Sequence, residues 1–109
     1  MKTITAKELE EKLSKGETLN LIDVREPEET AEGMIPGAKN IPMMEIPGRL
    51  NELDRDQEYI IICRSGNRST QVCMFLEEQG YKVTNLENGM QGWTGKLEQM
   101  IKSDNLKEL

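Results

Sequence analysis

Apolar residues along this chain fall into short clusters separated by polar, Gly- and Pro-bearing breaks. Leu19-Asn20-Leu21-Ile22-Asp23-Val24, Tyr59-Ile60-Ile61-Ile62 and Val83-Thr84-Asn85-Leu86 are short and rich in β-branched residues, so they predict strands. The unbroken run at 59–62 suits a central parallel strand covered on both faces. Between the strands the pattern turns helical. Leu9 and Leu13 form an i, i+4 apolar edge, Thr5 and Glu8 have the spacing of a capping box, and Gly16 ends the helix. Glu26-Pro27-Glu28-Glu29 opens a short helix with Pro and acids in its first turn. Residues 33–42 read as a loop with a short strand near Lys39–Ile41. Pro47-Gly48 is expected to break any helix begun at Met43, with another short helix over Arg49–Leu53. Ser69 to Gln79 reads as a helix stopped by Gly80. A last helix is expected over about Thr94 to Lys102, then a frayed tail, Ser103–Leu109. Strands alternating with helices predict an α/β fold: a mostly parallel sheet with helices on both faces, as one domain over residues 1–109.

Composition narrows the function. Of 109 residues 36% are hydrophobic, with one Trp and one Phe, so the core must rest on Ile, Leu, Val and Met. Net charge is −6 and no basic stripe appears, which argues against nucleic acid as a partner. No run is apolar enough to span a membrane, and residues 1–4 lack the apolar stretch of a secretory signal, so a cytoplasmic location is expected. The chain has no His, which removes His bases, His metal ligands and Cys–His pairs. Cys63 and Cys73 do not have the spacing of a redox or zinc pair, and they fall on different elements.

The chemistry concentrates in Cys63-Arg64-Ser65-Gly66-Asn67-Arg68-Ser69. A thiol between a strand end and a helix start meets unpaired N–H groups and the positive end of the helix dipole. Arg64 and Arg68 add cations. All of these favour thiolate over thiol, so Cys63 is the candidate nucleophile. Gly66 supplies the positive φ that lets the loop curl. Ser65, Gly66 and Asn67 let its N–H groups converge, and Ser69 is expected to cap the helix. Arg68 closes the loop at the helix start, and Arg64 faces solvent or guides a substrate anion. Cys73 is expected to be a packed core thiol, Trp93 a core anchor under the last helix, and Met43 and Met44 part of a loop that rims the site. Asp23 and Arg25 end the preceding strand at the same sheet edge and are expected to frame the site by hydrogen bonds.

Four residues lie between Cys63 and Arg68. The phosphate-binding loops of protein tyrosine phosphatases have five. The shorter loop resembles that of the rhodanese (thiosulfate sulfurtransferase) family. Residues 21–29, 32–42 and 88–93 resemble three further signatures of that family, in order, so the likeness covers roughly residues 3–97. Met34 stands where the second signature usually carries His. The resemblance implies a single rhodanese-like domain that moves a sulfane sulfur through a Cys63 persulfide. The donor is a thiosulfate-like anion, the acceptor cyanide or a thiol, and a protein donor or acceptor is an open alternative. No metal or organic cofactor is implied. Two other readings stand beside it: a Cys-dependent phosphatase or arsenate reductase, and a sulfur-carrier or binding module acting with a protein partner.

Overall fold

The structure is a computed structural model and describes residues 1–99. Five strands pair in the order β1-β5-β4-β2-β3: β1 (Lys2–Ile4), β2 (Asn20–Asp23), β3 (Lys39–Asn40), β4 (Glu58–Ile62) and β5 (Lys82–Leu86). Every pairing is parallel. Side chains alternate across β4 and so serve two cores. Tyr59, Ile61 and Cys63 enter the one roofed by α3 (Asn67–Glu78) and by Ile46 of the 3-10 segment Met43–Glu52. Ile60 and Ile62 enter the other, with Leu9 of α1 (Ala6–Ser14), Ile35 and Trp93. This is the double coverage that an unbroken apolar strand requires.

The local signals account for most element ends. Thr5 Oγ1 accepts the Glu8 N–H at 3.1 Å while Glu8 Oε1 accepts the Thr5 N–H at 2.9 Å, so the capping box forms. α2 (Pro27–Thr30) starts at its Pro, as expected.

Four features depart from the sequence reading. The first is β1, which the pattern missed: its burial is confined to Ile4, and pairing with β5, not periodicity, makes it a strand. The second is the run Met43–Glu52, which continues through Pro47-Gly48 and kinks at Arg49 instead. Arg49 has non-helical backbone angles, so the segment is two short 3-10 stretches joined at a kink two residues beyond Pro47. The third is the last helix. Residues 94–99 are not helical; Glu98 forms an antiparallel bridge with Met34, donating to its carbonyl at 2.7 Å and accepting its N–H at 2.9 Å. Residues 100–102 of that expected helix, and the tail from Ser103, lie outside the described residues. The fourth is the start of α3, at Asn67 instead of Ser69.

The carboxyl ends of β2, β4 and β5 point to one sheet edge, where α2 and α3 begin. Ligands bind at that edge in open parallel sheets.

Candidate active site

Cys63 follows the last residue of β4 and is fully buried. The chain then turns back on itself. Gly66, at φ +101°, is the N-cap of α3, and its N–H donates to Cys63 Sγ at 2.9 Å. A side chain at that φ would be strained, so the turn that aims this N–H needs glycine. Ser69, one turn into the helix, places its Oγ 3.2 Å from Sγ. It is not the helix cap that was expected; it is fully buried and faces the sulfur.

The loop is held from behind by residues 88–92. Met90 N–H donates to the Cys63 carbonyl at 2.8 Å, and Gln91 N–H to that of Arg64 at 2.9 Å. Gly89, at φ +52°, lies so close that a Cβ would sit 2.3 Å from the Cys63 carbonyl oxygen. The Asn-Gly-Met-Gln-Gly-Trp segment therefore carries glycine there because one backbone presses on another. Trp93 beyond it is half-buried, packs on the second core and donates from Nε1 to the Lys96 carbonyl.

Among the charged residues, Arg68 departs from the sequence expectation. Arg64 is exposed at the mouth. Arg68 does not stand free over the loop: Nη1 and Nη2 each donate to one Glu29 oxygen at 2.7 Å. This Arg68 contact, with Coulombic help from Arg68 and Arg25, holds the Glu29 carboxyl at about 2 against the opposing effect of burial. Glu29 also accepts the Glu26 N–H at 3.0 Å, which ties α2 to the same pair. Asp23 and Arg25 form a second, buried pair. Arg25 donates from Nε and Nη2 to the Asp23 carboxylate at 2.8–3.1 Å, and from Nη2 to the Gly33 carbonyl at 2.8 Å. Asn40 Nδ2 donates to the carbonyls of both residues. One member of each pair, Arg25 and Glu29, lines a cleft of about 250 Å3 together with Glu32, Arg64, Met90 and Gln91.

The structure thus brings Cys63, Gly66 and Ser69 into contact, sets the Asp23–Arg25 pair at the end of the neighbouring strand, and leaves Arg64, Ser65 and Asn67 exposed. Cys73 packs in the first core, and burial pushes its thiol up to about 12, which leaves it protonated and unreactive near neutral pH. Met34 is buried with its backbone tied to Glu98. Met43 packs on the first core, while Met44 is 80% exposed beside an apolar groove. Among the described residues no cluster of three or more His, Cys, Asp or Glu gathers as metal ligands.

The roles of three residues at the site escaped the sequence reading: Glu29, Thr70 and Asn85. Glu29 read as a helix-start acid, and only the fold sets it opposite Arg68. Thr70 and Asn85 carry no motif. An Asn inside an apolar strand was the one available signal, since a buried amide needs partners.

The Rhodanese-like domain profile matches residues 5–96. The chain is 53% identical over 96 residues to a Bacillus subtilis protein named "Putative sulfurtransferase YtwF", covering 88% of this chain and 93% of that one. It is 43% identical to another B. subtilis protein, "Putative sulfur carrier protein YrkF", covering 87% of this chain and 52% of that one. The fold superposes on the crystal structure of a rhodanese-like domain protein from Staphylococcus aureus with a TM-score of 0.86, at 44% identity, covering 91% and 98% of the two chains. With an all-parallel sheet, a Cys-bearing loop between β4 and α3, and a matching profile over nearly its whole described length, this chain belongs to the rhodanese-like domain family.

Proposed function

We propose that this protein transfers a sulfane sulfur from a donor such as thiosulfate to a thiophilic acceptor, through a persulfide on Cys63. The observation that carries this reading is Cys63 Sγ held by the Gly66 N–H, in a loop whose size suits one sulfur, in a chain with no His to serve as a base. The thiolate attacks the outer sulfur of thiosulfate. The donor's S–S bond breaks, its electron pair leaves with sulfite, and Cys63 carries Sγ–S⁻. Cyanide or a thiolate then attacks the outer sulfur, and the new S–S electron pair returns to Sγ. This is a ping-pong double displacement, and neither half needs a general base once Cys63 is ionised. Donors in the loop stabilise the entering and leaving anions.

Intact-protein mass after incubation with thiosulfate tests the reading. The wild type is expected to gain one sulfur, to lose it on adding cyanide, and to release thiocyanate. The Cys63→Ser variant is expected to gain nothing. A wild type that stays unmodified by thiosulfate and by persulfide donors overturns the proposal.

A second reading is a sulfur carrier that exchanges with a protein partner. It is favoured by the engagement of Arg68 with Glu29, which leaves Arg64 as the cation at the mouth for a free anion, and by the relative named as a sulfur carrier. Slow loading from thiosulfate with fast loading from a protein persulfide would select it. The phosphatase and arsenate-reductase readings predict aryl phosphate hydrolysis or arsenate reduction, which the four-residue loop disfavours.

A further inference from the structure

Behind Cys63, away from the cleft, lies a chain of neutral hydrogen-bonding groups that sulfur transfer as described above does not use. Ser69 Oγ contacts Cys63 Sγ and has two acceptors for its one hydrogen, Asn85 Oδ1 and, at 3.1 Å, the Gly66 carbonyl. Asn85 Nδ2 donates to Thr70 Oγ1 at 3.1 Å, and Thr70 Oγ1 donates to the Gly66 carbonyl at 2.7 Å. Ser69 is fully buried and Asn85 is 7% exposed. Asn85 sits in β5, an element that supplies no other group to the sulfur.

The direction of this chain matters. With the Ser69 hydrogen on Asn85 Oδ1 or on the Gly66 carbonyl, Ser69 Oγ faces the sulfur as an acceptor. That arrangement suits a thiol, S–H to Oγ, and opposes a thiolate, which needs a donor. The reverse direction uses the same atoms. If the Asn85 amide turns over, Nδ2 donates to Ser69 Oγ and the Ser69 hydrogen points at S⁻. Thr70 then donates to Oδ1. The Gly66 carbonyl still accepts the Thr70 N–H at 3.1 Å, so every group remains satisfied in both directions.

We propose that Asn85 is a positioning residue of this site: its amide reverses with the state of Cys63, so that Ser69 accepts from the thiol and donates to the thiolate. This rests on Cys63 being the sulfur-transfer nucleophile. No proton travels along the chain; the thiol proton leaves to solvent, and the hydroxyls and amide only rotate. The thiolate forms twice in each catalytic cycle, before attack and again on discharge, and the reversal gives it a buried donor each time. An amide serves here where a carboxylate would not, because only the amide offers both a donor and an acceptor.

The surrounding charges are Arg64 and Arg68 of the same loop, Glu29 of α2 bound to Arg68, the Asp23–Arg25 pair at the end of β2, and Cys73 of α3. None is altered in the variants below. The rate of Cys63 alkylation against pH reads the thiolate without reading sulfur transfer. Asn85→Asp offers only acceptors and holds the Ser69 hydrogen away from sulfur. Its alkylation midpoint is expected to rise by about one pH unit or more. In a Ser69→Ala background the same change is expected to give clearly less, since only direct charge repulsion remains. An equal rise in both backgrounds, or none in the folded single variant, overturns the proposal. If Asn85→Asp does not fold, the wild type still decides. Its Asn85 side-chain amide NMR signals are expected to titrate with the alkylation midpoint, and to stop doing so in Ser69→Ala. Signals that stay fixed through that midpoint, or that titrate unchanged in Ser69→Ala, overturn it. Sulfur loading by intact mass is scored separately, so failure of this coupling and failure of the Cys63 persulfide give different results.

Discussion

Cys63 stands between two walls built on opposite principles. On the β2 side the wall is ionic: Asp23 with Arg25, and Glu29 with Arg68. On the β5 side it is neutral: Ser69, Asn85 and Thr70. The hydrogen bonds of the ionic wall end on carboxylates and backbone carbonyls, whereas Ser69 of the neutral wall touches the sulfur. An ion pair has a fixed direction and a high cost of rupture, which suits it to holding loops in place. Hydroxyls and amides exchange donor and acceptor roles cheaply, which suits them to a group that changes charge. The difference teaches that charge near a thiol is not automatically charge available to an anion. Here Arg25 is spent on the Gly33 carbonyl and Asp23, and Arg68 on Glu29.

The strongest way to test the division is to remove the sulfur that both walls surround. Cys63→Ser is expected to lower thiosulfate:cyanide turnover by at least about 10³-fold, since no other group replaces the nucleophile. Its thermal unfolding should stay near wild type. Cys73→Ser, at a protonated core thiol, should keep most of the turnover.

Next is the ionic wall. Arg25→Ala leaves Asp23 buried and unpaired and strips a donor from the Gly33 carbonyl. A loss of about 3–5 kcal/mol in chemical denaturation is expected. A loss under about 1 kcal/mol would mean that the pair does not hold the frame.

The brace behind the loop should give a smaller effect. Gly89→Ala puts a methyl against the Cys63 carbonyl at a positive φ, and a cost of roughly 2–3 kcal/mol is expected. Because the contact falls on the Cys63 backbone, turnover should fall as well, which the same assay reads.

The smallest effect belongs to Glu29→Gln, at a half-exposed pair, with roughly 1 kcal/mol expected near pH 7. Its pH signature is sharper than its size. The folded Glu29 titrates at about 2 against an ordinary 4.5, so its contribution is full above about 4.5 and is lost as pH falls towards 2. Denaturation between those pH values should show a shallower acid-side loss for Glu29→Gln than for wild type. Parallel profiles would remove Glu29 from the account.

Much of the molecule was legible from local chemistry. Three strands, the capped first helix and the Pro-started second helix follow from patterns that act within a few residues. So does the Cys63 loop, since Cys63, Gly66 and the helix start lie within one turn of one another. Where the reading failed, the deciding partner was distant in sequence. β1 exists because β5 pairs with it. Residues 94–99 are not helical, because Glu98 pairs there with Met34, a partner from the first half of the chain. Arg68 looked free because Glu29 is 39 positions away. Ser69 looked like a cap because Asn85, 16 positions on, could not be placed beside it.

By itself, then, the amino-acid order determined the α/β class, the place of the thiol at a strand end, and the size of its loop. It also determined that no histidine takes part. Apolar period, glycine conformation and loop length are properties of neighbouring residues, and they survive without any knowledge of the fold. Only the tertiary structure decided which arginine remains available to an anion, which hydroxyl faces the sulfur, and which buried amide stands behind it. Hydrogen bonds and ion pairs act over a few ångströms, and parallel strands bring together residues that the chain keeps far apart.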